Sequence, residues 1–137
     1  MHSLLALCVV SLAPALAGAQ GLAGADGERR GITATTPQVF EDPSMPGKEF
    51  RLQHTTYAPS GQNPKHYHPS HVVFYVLEGS GVWQEEGKEA IVLKPGDSLH
   101  VAPGTVHAHR NASAATPLVF LEFVIVEKGQ RSTVPMR

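Results

Sequence analysis

Apolar and polar residues alternate over much of the chain from residue 50 onward. In "EFRLQHTTYA", Phe50, Leu52, His54 and Thr56 fall on one parity, and Arg51, Gln53, Thr55 and Tyr57 on the other. That period of two predicts a strand. "PSGQNP" reads as a turn cluster. "VVFYVL", residues 72–77, is apolar on both parities and predicts a strand buried on both faces. Gly79-Ser80-Gly81 turns the chain, "VWQ" and "EAIVL" form a hairpin around "EEGK", and "KPGD" turns again. "SLHVA", "VHAHRN" and the long run "PLVFLEFVIV" complete the series. About eight to ten short strands follow, with no helical period, so an antiparallel sandwich or small barrel is expected.

The flanks read differently. "MHSLLALCVVSLAPALAGAQ" carries an apolar run from Leu4 to Leu16 and small residues at Ala17 and Ala19. This predicts an export signal over residues 1–19, cut after Ala19, and a periplasmic or secreted product. The run is short for a bilayer span and is interrupted by Pro14, so no membrane contact is expected after cleavage. His2 stands where a Lys or Arg is usual, which leaves an N-terminal anchor or a mis-called start as alternatives. Residues 20–36 are small, polar and aperiodic and read as a flexible leader, with ordered structure starting near Val39. The barrel is expected over residues 37–128, and residues 129–137 read as a polar tail.

The chain has 137 residues, which favours a single domain. Its formal net charge of -1 argues against nucleic acid or an anionic membrane as partner. Cys8 is the only cysteine and lies in the predicted signal. The mature chain then has no disulfide, thiol nucleophile or thiolate ligand. The Asn111-Ala112-Ser113 triplet formally permits glycosylation.

The histidines are the candidate chemistry. Residues two apart on a strand share a face. His66 and His68 therefore point together, as do His107 and His109. Two neighbouring strands carrying inward imidazoles can converge on one divalent ion, and three protein ligands leave open positions for water or substrate. The alternative is that such pairs are polar residues lining a pocket.

The spacing of these residues resembles the cupin superfamily of small β-barrels. That family's first motif runs G, five residues, H-x-H, three or four residues, E, six residues, G. Here Gly61, His66, His68, Val72 and Gly79 occupy those places, with the first interval one residue short. The second motif runs G, five residues, P-x-G, two residues, H, three residues, N. Gly96, Gly104, His107 and Asn111 match it, with Ala102 in place of the proline and Pro103 beside it. "FYVLEG" and "LKPGD" are also similar to the family, and the likeness runs from about Phe50 to about Val126. The resemblance implies an all-β, antiparallel double-stranded β-helix (a cupin or jelly-roll barrel) in a single domain. It implies a divalent metal ion (Fe, Zn, Ni, Mn or Cu) on His66, His68 and His107, and pairing into a homodimer.

Val72 departs from the motif, because metal-binding cupins carry a carboxylate ligand there and valine cannot ligate. Three readings follow. In the first the three histidines hold the ion alone; in the second His71 or His109 completes the shell or moves a proton as a catalytic residue; in the third the histidines line a metal-free pocket. Tyr67 is expected to pack away from the site, and His54 to lie at the surface. His100 is a weaker pocket candidate. Trp83, Phe74, Phe120 and Phe123 are expected in the core or pocket wall. Glu122, within "LVFLEFVIV", is expected on a solvent-facing parity, or else as an acid reaching into the barrel.

Function is then expected to be that of an exported cupin acting on a small oxygen-rich organic molecule, by oxygenase, isomerase or lyase chemistry. The alternative is a non-catalytic periplasmic module that binds or senses a small ligand. Fold alone does not choose between them.

Overall fold

The computed structural model describes residues 27–136. The expected export signal, residues 1–19, lies outside them, as do residues 20–26. Nine strands make up the described chain: β1 (Arg30–Phe40), β2 (Lys48–Tyr67), β3 (Val72–Glu78), β4 (Gly81–Glu85), β5 (Ile91–Leu93), β6 (Ser98–Val101), β7 (His107–Asn111), β8 (Leu118–Glu127) and β9 (Val134–Pro135). All pair antiparallel. The order is β5-β4-β7-β2-β8-β3-β6, with β1 and β9 also on β2. This is the expected all-β barrel, a double-stranded β-helix in one domain.

The long strand β2 is what brings the two halves together. From Lys48 to Tyr57 it lies against β8, with Lys48 opposite Glu127 and Tyr57 opposite Leu118. From Gln62 to His66 it pairs instead with β7. The predicted "PSGQNP" turn is therefore a bend within one strand. Ser60 adopts a positive φ of 59° at that bend, and the β2–β7 register shifts between Asn63 and His66. Such irregularities let a strand leave one sheet and join another.

Three further expectations are corrected. The leader is strand from Arg30 onward, because "GITATT" pairs with β2, with Ile32 opposite Tyr57 and Thr35 opposite His54. β-branched Ile and Thr suit that extended state, which the weak apolar signal concealed. The tail also docks, with Val134 opposite Tyr67 on β2. Strand β3 is buried on one face only. Val72, Phe74 and Val76 point inward, while Val73, Tyr75 and Leu77 are exposed.

Tyr57, Val72, Phe74, Val76, Trp83, Val101, Leu118, Phe120, Val124 and Val126 form the core. One residue of each motif anchors it. Gly79 has φ 73°, and a Cβ there would meet the Pro117 carbonyl oxygen at 2.2 Å, so only glycine fits against β8. Asn111 is buried, and its Nδ2 donates to the carbonyls of Thr116 (2.7 Å), Ala58 (3.1 Å) and Tyr57 (3.2 Å). Its Oδ1 accepts from the Ser113 amide at 2.9 Å. The sequon amide is thus committed inside the fold. Asn111→Ala strands these carbonyls and is expected to cost about 2–4 kcal/mol, read as a lower urea midpoint at unchanged slope.

Candidate metal centre

Four imidazoles converge inside the barrel. His66 lies at the end of β2 and His68 just past it, and His107 and His109 lie on β7, which pairs with β2 at His66–His107. All four are buried. The ring centroids of His66 and His107 are 4.2 Å apart, His68 and His107 5.0 Å, His66 and His109 5.1 Å, and His66 and His68 5.2 Å. The shared-face argument therefore holds for both H-x-H pairs.

Backbone carbonyls set the tautomers of three rings. His66 Nδ1 donates to the Pro64 carbonyl at 2.7 Å, His68 Nδ1 to Ser132 at 2.6 Å, and His107 Nδ1 to Thr105 at 2.7 Å. A carbonyl only accepts, so each Nδ1 carries the proton and each Nε2 keeps its lone pair. This is how metal-ligating histidines are oriented. The Thr105 carbonyl belongs to the "PGT" turn, where the Gly104 amide donates to the His68 carbonyl at 2.9 Å. The Ser132 carbonyl belongs to the docked tail, so a segment that reads as a polar tail in the sequence orients His68.

The Nε2 atoms of His68, His107 and His109 are buried and have no hydrogen-bond partner among the described residues. His66 Nε2 has only a 3.4 Å approach from Asn63 Nδ2. Unpartnered buried nitrogens cost stability unless something binds them, and a divalent ion satisfies several at once. The ligand nitrogens of His66, His107 and His109 all lie within 4.8 Å of one another. His66 and His107 thus belong both to this group and to the tautomer-locked group that contains His68. The donor set fits a borderline divalent ion such as Zn, Fe, Ni, Cu or Mn.

Burial also keeps the clustered rings neutral. Desolvation pushes His66 down to about 4 and His107 to about 2, the latter helped by neighbouring His66. His68 is lowered by the same burial. His109 is pushed well below the ordinary imidazole range, first by desolvation and then by His66 and His107. It stacks on Tyr57 (5.3 Å, 17°) and on Trp83 (5.1 Å, 18°). His109 is the sequence's candidate proton carrier near neutral pH; the structure places it in the buried histidine cluster, with its pKa lowered out of that range.

Val72 is a core residue, 1% exposed and opposite Val124 and Val101. His71, the other catalytic candidate, does not reach the site. With Val72 inward, alternation turns His71 outward, where it is exposed and bonded to His100 (Nδ1 to Nε2, 2.8 Å). His100 is exposed with it, so it is no pocket residue. His54, opposite Thr35 and Leu121, is half-buried on the outward parity, and Tyr67 alternates out between His66 and His68. Phe123 is not core either: it is 38% exposed on the outer face of β8.

Glu122 is the residue whose expected orientation reverses. It shares its parity with buried Phe120 and Val124 and pairs with Phe74 and Gln53, so it faces the barrel interior. Although half-buried by surface, its carboxyl is desolvated enough to be pushed up to about 7, with Arg29 opposing that rise. The signal was available as parity: Glu122 is two residues from Phe120 and Val124. A raised acid opposes folding as pH climbs from 4.5 through 7, because the unfolded carboxyl ionises first. Glu122→Gln is expected to stabilise the metal-free protein above pH 7 by up to about 3 kcal/mol and to leave it unchanged near pH 4, as read from urea midpoints at both values.

A small apolar cavity lies beyond His109, walled by Phe74, Val76, Trp83, Leu93 and Phe120. Trp83 is the only tryptophan and stacks on His107 at 4.0 Å, so its fluorescence reports on the centre.

The comparisons with known proteins agree with this architecture. The model "Cupin domain" matches residues 53–126, more than half of the chain. The chain belongs to the cupin superfamily. It is 43% identical over 67 residues to quercetin 2,3-dioxygenase of Bacillus subtilis (strain 168), covering 44% of this chain and 20% of that one. It is 27% identical over 104 residues to gentisate 1,2-dioxygenase of Streptomyces sp, covering 72% and 27%. It therefore spans about a fifth to a quarter of these two relatives. Among solved structures, a cupin-like protein of Thermotoga maritima superposes with a TM-score of 0.57 at 26% identity, covering 68% of this chain and 67% of that one. What the residues define is a cupin with a histidine cluster able to hold a divalent metal ion.

Proposed function

We propose that the protein is an exported, metal-dependent cupin oxygenase acting on a small oxygen-rich organic molecule. The observation that carries it is the cluster of buried, unpartnered Nε2 atoms on deprotonated rings. In this reading His66, His68 and His107 hold the ion and His109 completes the shell in place of the absent carboxylate, which the mutual approach of the His66, His107 and His109 ligand atoms within 4.8 Å supports. When bound, a redox-active ion supplies oxygen activation, and any divalent ion supplies Lewis acidity. The chain's own contribution is orientation by the Pro64, Thr105 and Ser132 carbonyls, exclusion of water by Trp83, Phe74 and Phe120, and a carboxyl at Glu122. With a pKa near 7, Glu122 can take or return a substrate proton at neutral pH. The two dioxygenase relatives favour oxygen chemistry over isomerase or lyase chemistry.

Elemental analysis of the untagged protein, followed by oxygen uptake of the iron- and copper-loaded forms with quercetin and with gentisate, tests the proposal. One equivalent of metal and uptake with either probe supports it. Metal with saturable binding of a probe but no uptake favours a binding module, and no metal overturns the proposal.

The proposal includes a homodimer. Val73, Tyr75 and Leu77 on β3 and Phe123 on β8 are 38–45% exposed, and Val73 pairs with Phe123. That outer face is apolar, as expected of a surface covered by a second copy. Sedimentation is expected to give a dimer for the wild type and a monomer for Tyr75→Lys, with metal content unchanged.

A further inference from the structure

We propose that Arg29 is the anion anchor of the site, gripping the carboxylate of a substrate whose other oxygens face the histidine cluster; this rests on the metal-binding reading. Strand β1 starts at Arg30, opposite Gln62. The Gln62 side-chain amide donates to the Glu28 carbonyl at 3.1 Å, which ties residues 28–30 to β2. The next residue of β2, Asn63, pairs with His109, and its amide lies 3.4 Å from His66 Nε2. The backbone therefore delivers Arg29 level with the two rings.

Gln62 pairs with Arg110 and Asn63 with His109, so Arg30 shares the parity of Gln62, and the Arg29 side chain, one residue earlier, takes the parity of Asn63, which faces the histidines. The Arg29 charge is felt at Tyr57 and His66 on β2, at His109 on β7 and at Glu122 on β8. Arg29 itself keeps surface exposed to solvent, and no ion pair occupies it among the described residues.

The charge balance then selects the ligand. An ion on neutral imidazoles keeps its full double charge, because Val72 supplies no carboxylate. Arg29 adds one more positive charge, and Glu122 offsets at most one. A small carboxylate that also carries a hydroxyl or carbonyl meets both centres, and a guanidinium binds it through two parallel hydrogen bonds. A neutral chelator meets only the ion.

The test uses the full chain loaded with zinc and two probes, salicylate and catechol, with Trp83 fluorescence as readout. Catechol has two hydroxyls and no carboxylate. Arg29→Gln is expected to weaken salicylate about 10–100-fold and to leave catechol within about twofold. Arg30→Gln, whose side chain bonds the Ser60 carbonyl instead, is expected to change neither. Equal salicylate affinity in wild type and Arg29→Gln, equal weakening of both probes, or no salicylate binding to the wild type would overturn the anchor. Zinc content of the same samples separates the failures. One equivalent of zinc with an insensitive Arg29 removes the anchor alone, whereas no zinc removes the metal reading and the anchor with it.

Discussion

Replacing His107 with alanine is expected to lower the affinity for a divalent ion by at least about a hundredfold. Losing a hydrogen-bond partner behind a ligand already costs about 10–100-fold, and losing the ligand costs more. His107 is the residue to change because it belongs to both overlapping ligand groups, is held at Nδ1 by Thr105, and stacks on Trp83 at 4.0 Å. Titration of the metal-free protein with zinc, followed by Trp83 fluorescence, should saturate at one equivalent in the wild type and fail to saturate at the same concentrations in the variant. A circular dichroism spectrum checks that the barrel persists. Equal affinity in the two proteins would place any bound ion elsewhere. His68→Ala and His109→Ala then rank the remaining ligands: the larger loss identifies the third nitrogen of the shell.

The second large effect is acid lability of the metal-free protein. His66 and His107 are held at about 4 and about 2 in the fold but titrate near 6.5 when unfolded. The depressed values mean that the unfolded chain takes up protons first. Stability is therefore highest above pH 6.5 and falls as pH drops below it. Each such site removes about 1.4 kcal/mol per pH unit until its folded pKa is reached. Two sites acting from pH 6.5 to 4 remove roughly 6 kcal/mol, a large share of the 5–15 kcal/mol that holds a domain together. Glu122 works in the opposite sense over part of that range, as one group against several. Urea midpoints at pH 7.5, 6 and 5 should fall steadily. A flat profile would mean that these rings are solvated in solution, and the case for a desolvated centre would fail. Over the same range, metal affinity of the folded protein should stay nearly constant from pH 8 to about 5, because the ligands are already deprotonated.

The sequence by itself determined most of the strand series from Phe50 to Val126, most of the turns between strands and the shared face within each H-x-H pair. Each is a local property: period two sets which side chains share a face, and Gly, Pro and Asn set the turns. The non-ligating Val72 was equally plain. Tertiary structure alone decided which face of each strand is the inside. "VVFYVL" is apolar on both parities, so only pairing with β6 and β8 shows that Val72, Phe74 and Val76 are buried and that Tyr75 is not. The same choice turns His71 out and Glu122 in. Tertiary pairing also recruited segments with almost no local signal. Residues 28–40 lie along β2, and the tail supplies the Ser132 carbonyl to His68. Their hydrogen bonds join residues 34 and 64 positions apart, and no local pattern of apolar residues encodes a partner at such a distance.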